Sequence, residues 1–107
     1  MVVNQYEIYW VNLDPTVGHE VKKTRPCVVI SPDEMNHNIG TVIIAPVTSA
    51  LKSYPSRVMC NVQEKKGTIM LDQIRTVDKK RLIRKIAQLS IKEIREVKLK
   101  IKEMLVD

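Results

Sequence analysis

Three clusters of polar side chains interrupt an otherwise apolar, strand-like pattern. The first is His19, Glu20, Lys22, Lys23 and Arg25, in and just after a loop carrying Gly18. Thr48 and Ser49, at the end of the most apolar run, form the second. Asp72, Gln73 and Arg75 form the third. If they converge, they supply an acid or base (Glu20, His19), a fixed cation (Arg25) and a hydroxyl donor (Thr48). Amide and guanidinium donors from Gln73 and Arg75 would stand beside them. No metal-ligand cluster, glycine-rich phosphate cradle or nucleophile elbow accompanies them. The set suits phosphodiester chemistry in which the attacking oxygen arrives with the substrate, as the 2′-hydroxyl of RNA does.

The elements that must hold these residues are short strands. "YEIYWVNLD" (6–14) is aromatic and β-branched and stops at Asp14-Pro15. A polar loop follows, then "RPCVVIS" as a second strand and "SPDEMN" as a short helical turn. "TVIIAPVT" is apolar on both faces, which places it at the centre of a sheet or against another subunit. Pro46 within it lacks a donor and predicts a bulge or strand end near Val47 and Thr48. "SRVMCNV" is a fourth strand, "QEKKG" a hairpin turn, "TIMLDQIRTV" a fifth strand, "DKKRL" a helical turn and "IRKIAQL" a last strand. Ser90 to Glu93 reads as a capping box. It opens an amphipathic helix with Ile91, Ile94, Val97, Ile101 and Met104 or Leu105 inward and Lys92, Arg95, Lys98 and Lys102 outward. Five or six closely spaced strands and one helix predict a mainly β, small barrel with a C-terminal α-helix, one domain over residues 1–107.

At this point a family resemblance is visible. "WVNLDPTVGHE", "TRPCVVISPDEMN", "APVTS" and "LDQIRTVDKKRL" resemble, in order and spacing, segments of the MazF/PemK toxins, from about Tyr6 through the last helix. These are sequence-selective, metal-independent endoribonucleases of type II toxin–antitoxin pairs. The resemblance implies an SH3-like barrel shared with the CcdB toxins, a homodimer, and cleavage of single-stranded RNA to 2′,3′-cyclic phosphate and 5′-hydroxyl ends. It also implies a cognate antitoxin of the MazE kind with an acidic, partly disordered segment. No cofactor is expected.

By the same resemblance, Arg25 and Thr48 correspond to residues treated as catalytic across the family. The "GHE" loop supplies His19 and Glu20, and Asp72 corresponds to a base proposed in some members. One such member carries an arginine two residues before that aspartate as the acid. That position is Met70 in this chain, so that version of the mechanism does not transfer. Attack by the 2′-oxygen builds charge on the phosphoryl oxygens, which a guanidinium and a hydroxyl can stabilise. Arginine is a poor base, so the proton goes to Glu20, Asp72 or His19, with Glu20 ranked first. Lys22, Lys23 and Ser49 are candidate substrate contacts. Lys52 and Tyr54, with Arg57, are candidates to line an RNA groove by charge and stacking.

Plainer roles stand beside these. Asp72 and Arg75 also suit an ion pair across neighbouring strands. Trp10 and Tyr6 read as core or interface residues. Cys27 and Cys60 lie in apolar runs and read as buried, reduced thiols. His19 and His37 lack partners at metal-ligand spacing, so no metal site is expected. The net charge of +6 is uneven: residues 1–78 are neutral, and the whole excess falls in residues 79–107. The lysine-rich C-terminal helix reads as a solvated face. No run approaches the length of a membrane span, about 20 residues, and "MVVNQYEIYW" has no signal-peptide pattern, which leads to a soluble cytoplasmic protein as the expectation.

Two rival functions fit a barrel of this size: a CcdB-like toxin that poisons gyrase by binding it, and a non-catalytic RNA-binding module. CcdB-like toxins depend on a Trp-Gly-Ile ending, whereas this chain ends "KEMLVD". A binding module would need no convergence of Arg25, Thr48 and an acid.

Overall fold

The computed structural model describes residues 1–14, 18–19, 23–51 and 54–106. Among the described residues there are seven strands: β1 (Glu7–Asn12), β2 (Thr24–Val29), β3 (Thr41–Thr48), β4 (Arg57–Val62), β5 (Lys65–Met70), β6 (Arg75–Asp78) and β7 (Leu82–Gln88). A short helix α1 (Asp33–Asn36) links β2 to β3, and α2 (Ile91–Leu105) ends the chain. All pairings are antiparallel, in the order β4-β5-β3-β2-β1-β7, with β6 added on β3. The sheet curls until its ends approach: Gln63 Nε2, after β4, donates to the carbonyl of Ile86 in β7 at 3.3 Å. This is the expected barrel with its C-terminal helix.

The strand count exceeds the expected five or six because the predicted fifth strand is broken. Leu71–Gln73 form a 3-10 turn between β5 and β6. β3 holds both fragments on one edge, pairing β6 through Thr41–Ile44 and β5 at Val47 and Thr48. Pro46 sits in the gap. Ile30 N–H donates to the Ile43 carbonyl, so the main chain of Ile43 faces β2. By alternation that of Pro46 faces the other edge, where no partner strand needs a donor. The strand therefore runs on through Thr48.

β3 is the centre of the sheet, so its doubly apolar sequence is used within the chain. Val42 and Ile44 join one buried cluster with Tyr9, Val11, Cys27 and Val29. Ala45 and Val47 join a second with Ile8, Val28, Ile69 and Val97 of α2. Cys27 and Cys60 are free and buried. Burial pushes both thiols up to about 12, so they remain protonated.

The capping box of α2 is present. Ser90 Oγ accepts from Glu93 N–H at 3.1 Å, and Glu93 Oε1 accepts from Ser90 N–H at 2.8 Å. Glu93 Oε2 also accepts from Asn61 N–H at 2.8 Å, tying the helix to the outer edge of β4. The inner face is narrower than the sequence pattern predicts. Ile94, Val97 and Ile101 pack on the sheet, whereas Ile91 and Leu105 are 72% and 66% exposed. Lys92, Arg95, Lys98 and Lys102 are exposed as expected. Among the described residues no helix is long and apolar enough to cross a membrane.

The β4–β5 turn also differs from expectation. It consists of Gln63 and Glu64 alone, both at positive φ (50° and 68°), with Val62 paired to Lys65. Two consecutive positive φ values match the twist of a two-residue hairpin. Lys65, Lys66 and Gly67 are therefore strand residues. Gly67 is needed there by space: a Cβ would stand 2.8 Å from Val47 Cγ1 and 3.3 Å from the Thr48 carbonyl.

Candidate active site

β2 and β3 end side by side. Their register runs Val29 to Ile44, Val28 to Ala45 and Cys27 to Pro46. Two residues further it sets Arg25 opposite Thr48, with both side chains on the face shared by Cys27. The positive charges of Arg75 and Arg25 partly offset the effect of burial on the Cys27 thiol. Pro26 restricts Arg25 to extended backbone. Thr48 Oγ1 accepts from the Ala50 N–H at 3.2 Å, which leaves the hydroxyl proton available to another acceptor.

The loop before Arg25 has a fixed root. Leu13 N–H donates to the Lys23 carbonyl at 3.1 Å, and Lys23 N–H to Asp14 Oδ1 at 2.9 Å. Arg75 Nη1 donates to the Leu13 carbonyl at 3.2 Å, and Arg81 Nη1 donates to the carbonyls of Asn12 and Asp14. Lys23 adopts φ 70° as the chain re-enters β2. Two arginines thus anchor the strand end from which the loop departs.

An open cleft of about 520 Å³ adjoins these strand ends. Lys23, Arg25, Thr48 and Ser49 line one side of it. Trp10 of β1, Gln63, Lys65 and Lys66 of the β4–β5 hairpin, and Arg84 of β7 line the rest. Its apolar surface comes from Pro26, Val47, Val62 and Ile86. Among the described lining residues five are cationic and none is acidic.

The expected site residues therefore separate. Arg25, Thr48, Ser49 and Lys23 come together at the cleft. Glu20, Lys22 and Lys52 lie outside the described residues. His19 is exposed and does not line the cleft. Gln73, half-buried with its Nε2 3.9 Å from Met70 Sδ, does not line it either. Arg75 is absent from the lining and instead grips the loop root.

Asp72 is also absent from the lining, and its partner is Arg57 rather than Arg75. Arg57 Nε donates to Asp72 Oδ1 at 2.9 Å and Nη2 to Oδ2 at 3.1 Å, while Ser56 Oγ adds a bond at 3.0 Å. The hydrogen bonds from Arg57 outweigh partial burial and hold the carboxyl below its usual range. Tyr54 is exposed and lies under Arg57, 5.0 Å from guanidinium carbon to ring centre, outside the cleft lining.

The cleft residues Trp10, Gln63, Lys65, Lys66 and Arg84 are not among the expected site residues. Trp10, expected in the core or at an interface, is half-buried and opens on the cleft. The signal available in the sequence was the Lys65-Lys66 pair beside a glycine. That Arg84 joins them follows only from the curl of the sheet. Among the described residues, no group of three or more His, Cys, Asp or Glu side chains is arranged to hold a metal ion.

Comparison with known proteins agrees with this architecture. Residues 4–105 match the family model described as "PemK-like, MazF-like toxin of type II toxin-antitoxin system". The chain is 37% identical over 71 residues to the endoribonuclease toxin MazF of Escherichia coli K12, an alignment covering 66% of this chain. That alignment spans 64% of the Escherichia coli protein, slightly less than two thirds of its length. Identity to the endoribonuclease EndoA of Bacillus subtilis 168 is 36% over 95 residues, covering 83% of this chain and 82% of EndoA. The fold is similar to the crystal structure of MazF from Deinococcus radiodurans, with a TM-score of 0.87, 30% identity, and 98% and 97% of the two chains covered. For a MazE–MazF crystal structure from the same organism these values are 0.80, 26%, 98% and 96%. The match over nearly the whole chain means that this protein belongs to the PemK-like, MazF-like toxin family of type II toxin–antitoxin systems.

Proposed function

We propose that the chain is the toxin of a type II toxin–antitoxin pair, an endoribonuclease that cuts single-stranded RNA without a metal ion. The observation that carries this reading is that Arg25 and Thr48 line one basic cleft, opposite each other when the β2–β3 register is continued past its last pair, Cys27 and Pro46. The relatives named endoribonucleases support the activity.

In the reaction the 2′-oxygen attacks the adjacent phosphorus and its proton passes to a base. The P–O5′ bond breaks, O5′ takes up a proton, and the products are a 2′,3′-cyclic phosphate and a 5′-hydroxyl. Arg25 supplies a guanidinium and Thr48 a hydroxyl to the phosphoryl oxygens as charge develops there. Asp72 is a poor choice of base, since Arg57 engages both of its oxygens and it lies off the cleft. Glu20, five residues before Arg25 on the loop whose root Arg75 and Arg81 hold, takes the proton. Lys23 and Ser49, which line the cleft, contact the RNA around the scissile phosphate, and Lys22 and Lys52 contact its flanking phosphates.

The solved MazE–MazF complex of the Deinococcus relative supports an antitoxin of the MazE kind as partner. We extend the reading to a homodimer acting in the cytoplasm. The test is to incubate total RNA with the protein and EDTA, sequence the new 5′ ends and identify the product termini. New 5′-hydroxyl ends at a recurring sequence are expected. Ends bearing a 5′-phosphate contradict the mechanism.

A further inference from the structure

The far wall of the cleft is built from opposite ends of the sheet. Lys65 and Lys66 belong to β5, near one end of the strand order, and Arg84 belongs to β7 at the other. The bond from Gln63 Nε2 to the Ile86 carbonyl joins the two. Arg84 pairs with Trp10 in the β1–β7 register. Its neighbour Lys85 is committed to the other face, where Nζ meets Glu7 Oε2 at 2.8 Å and Glu7 also bonds Tyr9. Alternation therefore turns Arg84 to the face of Trp10. Lys65, Lys66 and Arg84 are all exposed, and none forms an ion pair among the described residues.

Three like charges line one cleft together with a half-buried indole and no carboxylate in the described lining, an arrangement that attracts an anion. The apolar floor of Pro26, Val62 and Ile86 and the ring of Trp10 suit a flat base. Compact ammonium groups and a guanidinium suit phosphate oxygens. Strand alternation puts Trp10 and Pro26 on the opposite face of the strand ends from Arg25 and Thr48. The wall and the reacting pair therefore take different parts of one cleft.

We propose that Trp10, Lys65, Lys66 and Arg84 form a subsite for a nucleotide flanking the scissile bond, with Trp10 stacking on its base and the three cations holding its phosphates. The inference rests on the ribonuclease reading for the identity of the strand. It goes beyond that reading in naming which side chains grip the strand away from the reacting phosphate.

The probe is labelled single-stranded dT12, which lacks the 2′-hydroxyl and stays uncut, bound to the full chain between 50 and 200 mM KCl. Each phosphate contact contributes about 0.7 to the slope of log K against log salt for a single strand. The triple variant Lys65→Gln/Lys66→Gln/Arg84→Gln is expected to flatten the slope by about 2. Swapping the cations (Lys65→Arg/Lys66→Arg/Arg84→Lys) should restore it, and Lys98→Gln/Lys102→Gln on α2 should leave it unchanged. Trp10→Leu should weaken binding roughly tenfold at fixed salt while Trp10→Phe does not, since stacking survives in phenylalanine. Thermal melts check that each variant is folded. A wild-type slope in the folded triple variant overturns the subsite. So does a triple variant that loses affinity for polyglutamate but not for dT12, since the wall would then serve an acidic protein. Cleavage of RNA by the wild type in EDTA is measured in parallel. Cleavage with an unchanged slope removes the subsite and leaves the ribonuclease reading. A flattened slope without cleavage removes the ribonuclease reading and leaves a single-strand binding wall.

Discussion

Arg25 stands opposite Thr48 in the continued β2–β3 register, one strand residue each, at the point where both strands open onto the cleft. Neither position depends on a long flexible segment. Pro26 restrains the first, and the Ala50 N–H occupies an acceptor site on the second.

Arg25→Ala and Thr48→Ala should therefore keep the fold and single-strand affinity but lose cleavage. Removing one preorganised donor from a developing oxyanion costs about 10²–10³ in rate. Single-turnover cleavage with melts alongside measures this. A Thr48→Ala variant that is fully folded and cuts at the wild-type rate takes Thr48 out of the mechanism.

Asp72 is expected to behave as a structural residue. Asp72→Asn should retain cleavage within about threefold and cost at most about 1 kcal/mol, as for a partly exposed ion pair. The sign with pH follows from the lowered carboxyl. The stabilisation is complete above the ordinary value of 3.8 and is lost as pH falls through the lower folded value. Urea melts of wild type and Asp72→Asn should converge in acid and differ at neutral pH. A difference that grows toward acid contradicts the assignment.

Gly67 should be intolerant of a side chain because of Val47. Gly67→Ala puts a methyl 2.8 Å from Val47 Cγ1, and overpacking of this kind costs about 1–3 kcal/mol. Because Val47 precedes Thr48, cleavage should fall as well. Val47→Ala added to Gly67→Ala should recover part of both losses, so the two changes should be non-additive. Additive effects in melts and cleavage rates would show that the clash is relieved elsewhere.

Glu93 should matter more than Ser90. Ser90→Ala loses one cap bond, worth about 1 kcal/mol. Glu93→Ala removes the reciprocal bond to Ser90 and also the bond to Asn61 on β4. Denaturant midpoints should fall further for Glu93→Ala, and hydrogen exchange at the Asn61 amide should accelerate only in that variant. Equal midpoints would mean that the tie to β4 contributes nothing.

Much of this was legible in the residues alone. The capping box, the β-branched runs and the Ser31-Pro32 turn carry local signals, so the elements around them were readable. The break in the fifth strand was not, because Asp72-Gln73 carries no glycine or proline to announce a turn. The Gln63-Glu64 turn was hidden for the same reason, since neither residue is a usual choice at positive φ. Arg25 and Thr48 could be found from motifs, and the register then brought them together. Arg75 and Asp72 were readable as polar residues near a strand end, but their partners, Leu13 and Arg57, are set by tertiary packing. The Lys65-Lys66 pair was visible in the sequence, but its meeting with Trp10 and Arg84 was not, because only closure of the sheet brings β5 beside β7.

The most direct measurement uses two oligonucleotides that differ by one oxygen. An RNA containing the cleavage sequence should be cut by the wild-type protein in EDTA. The same RNA with a single 2′-deoxy sugar at the scissile position should survive, because its nucleophile is missing. Equal cutting of both strands would contradict 2′-hydroxyl attack, and with it the roles given to Arg25 and Thr48.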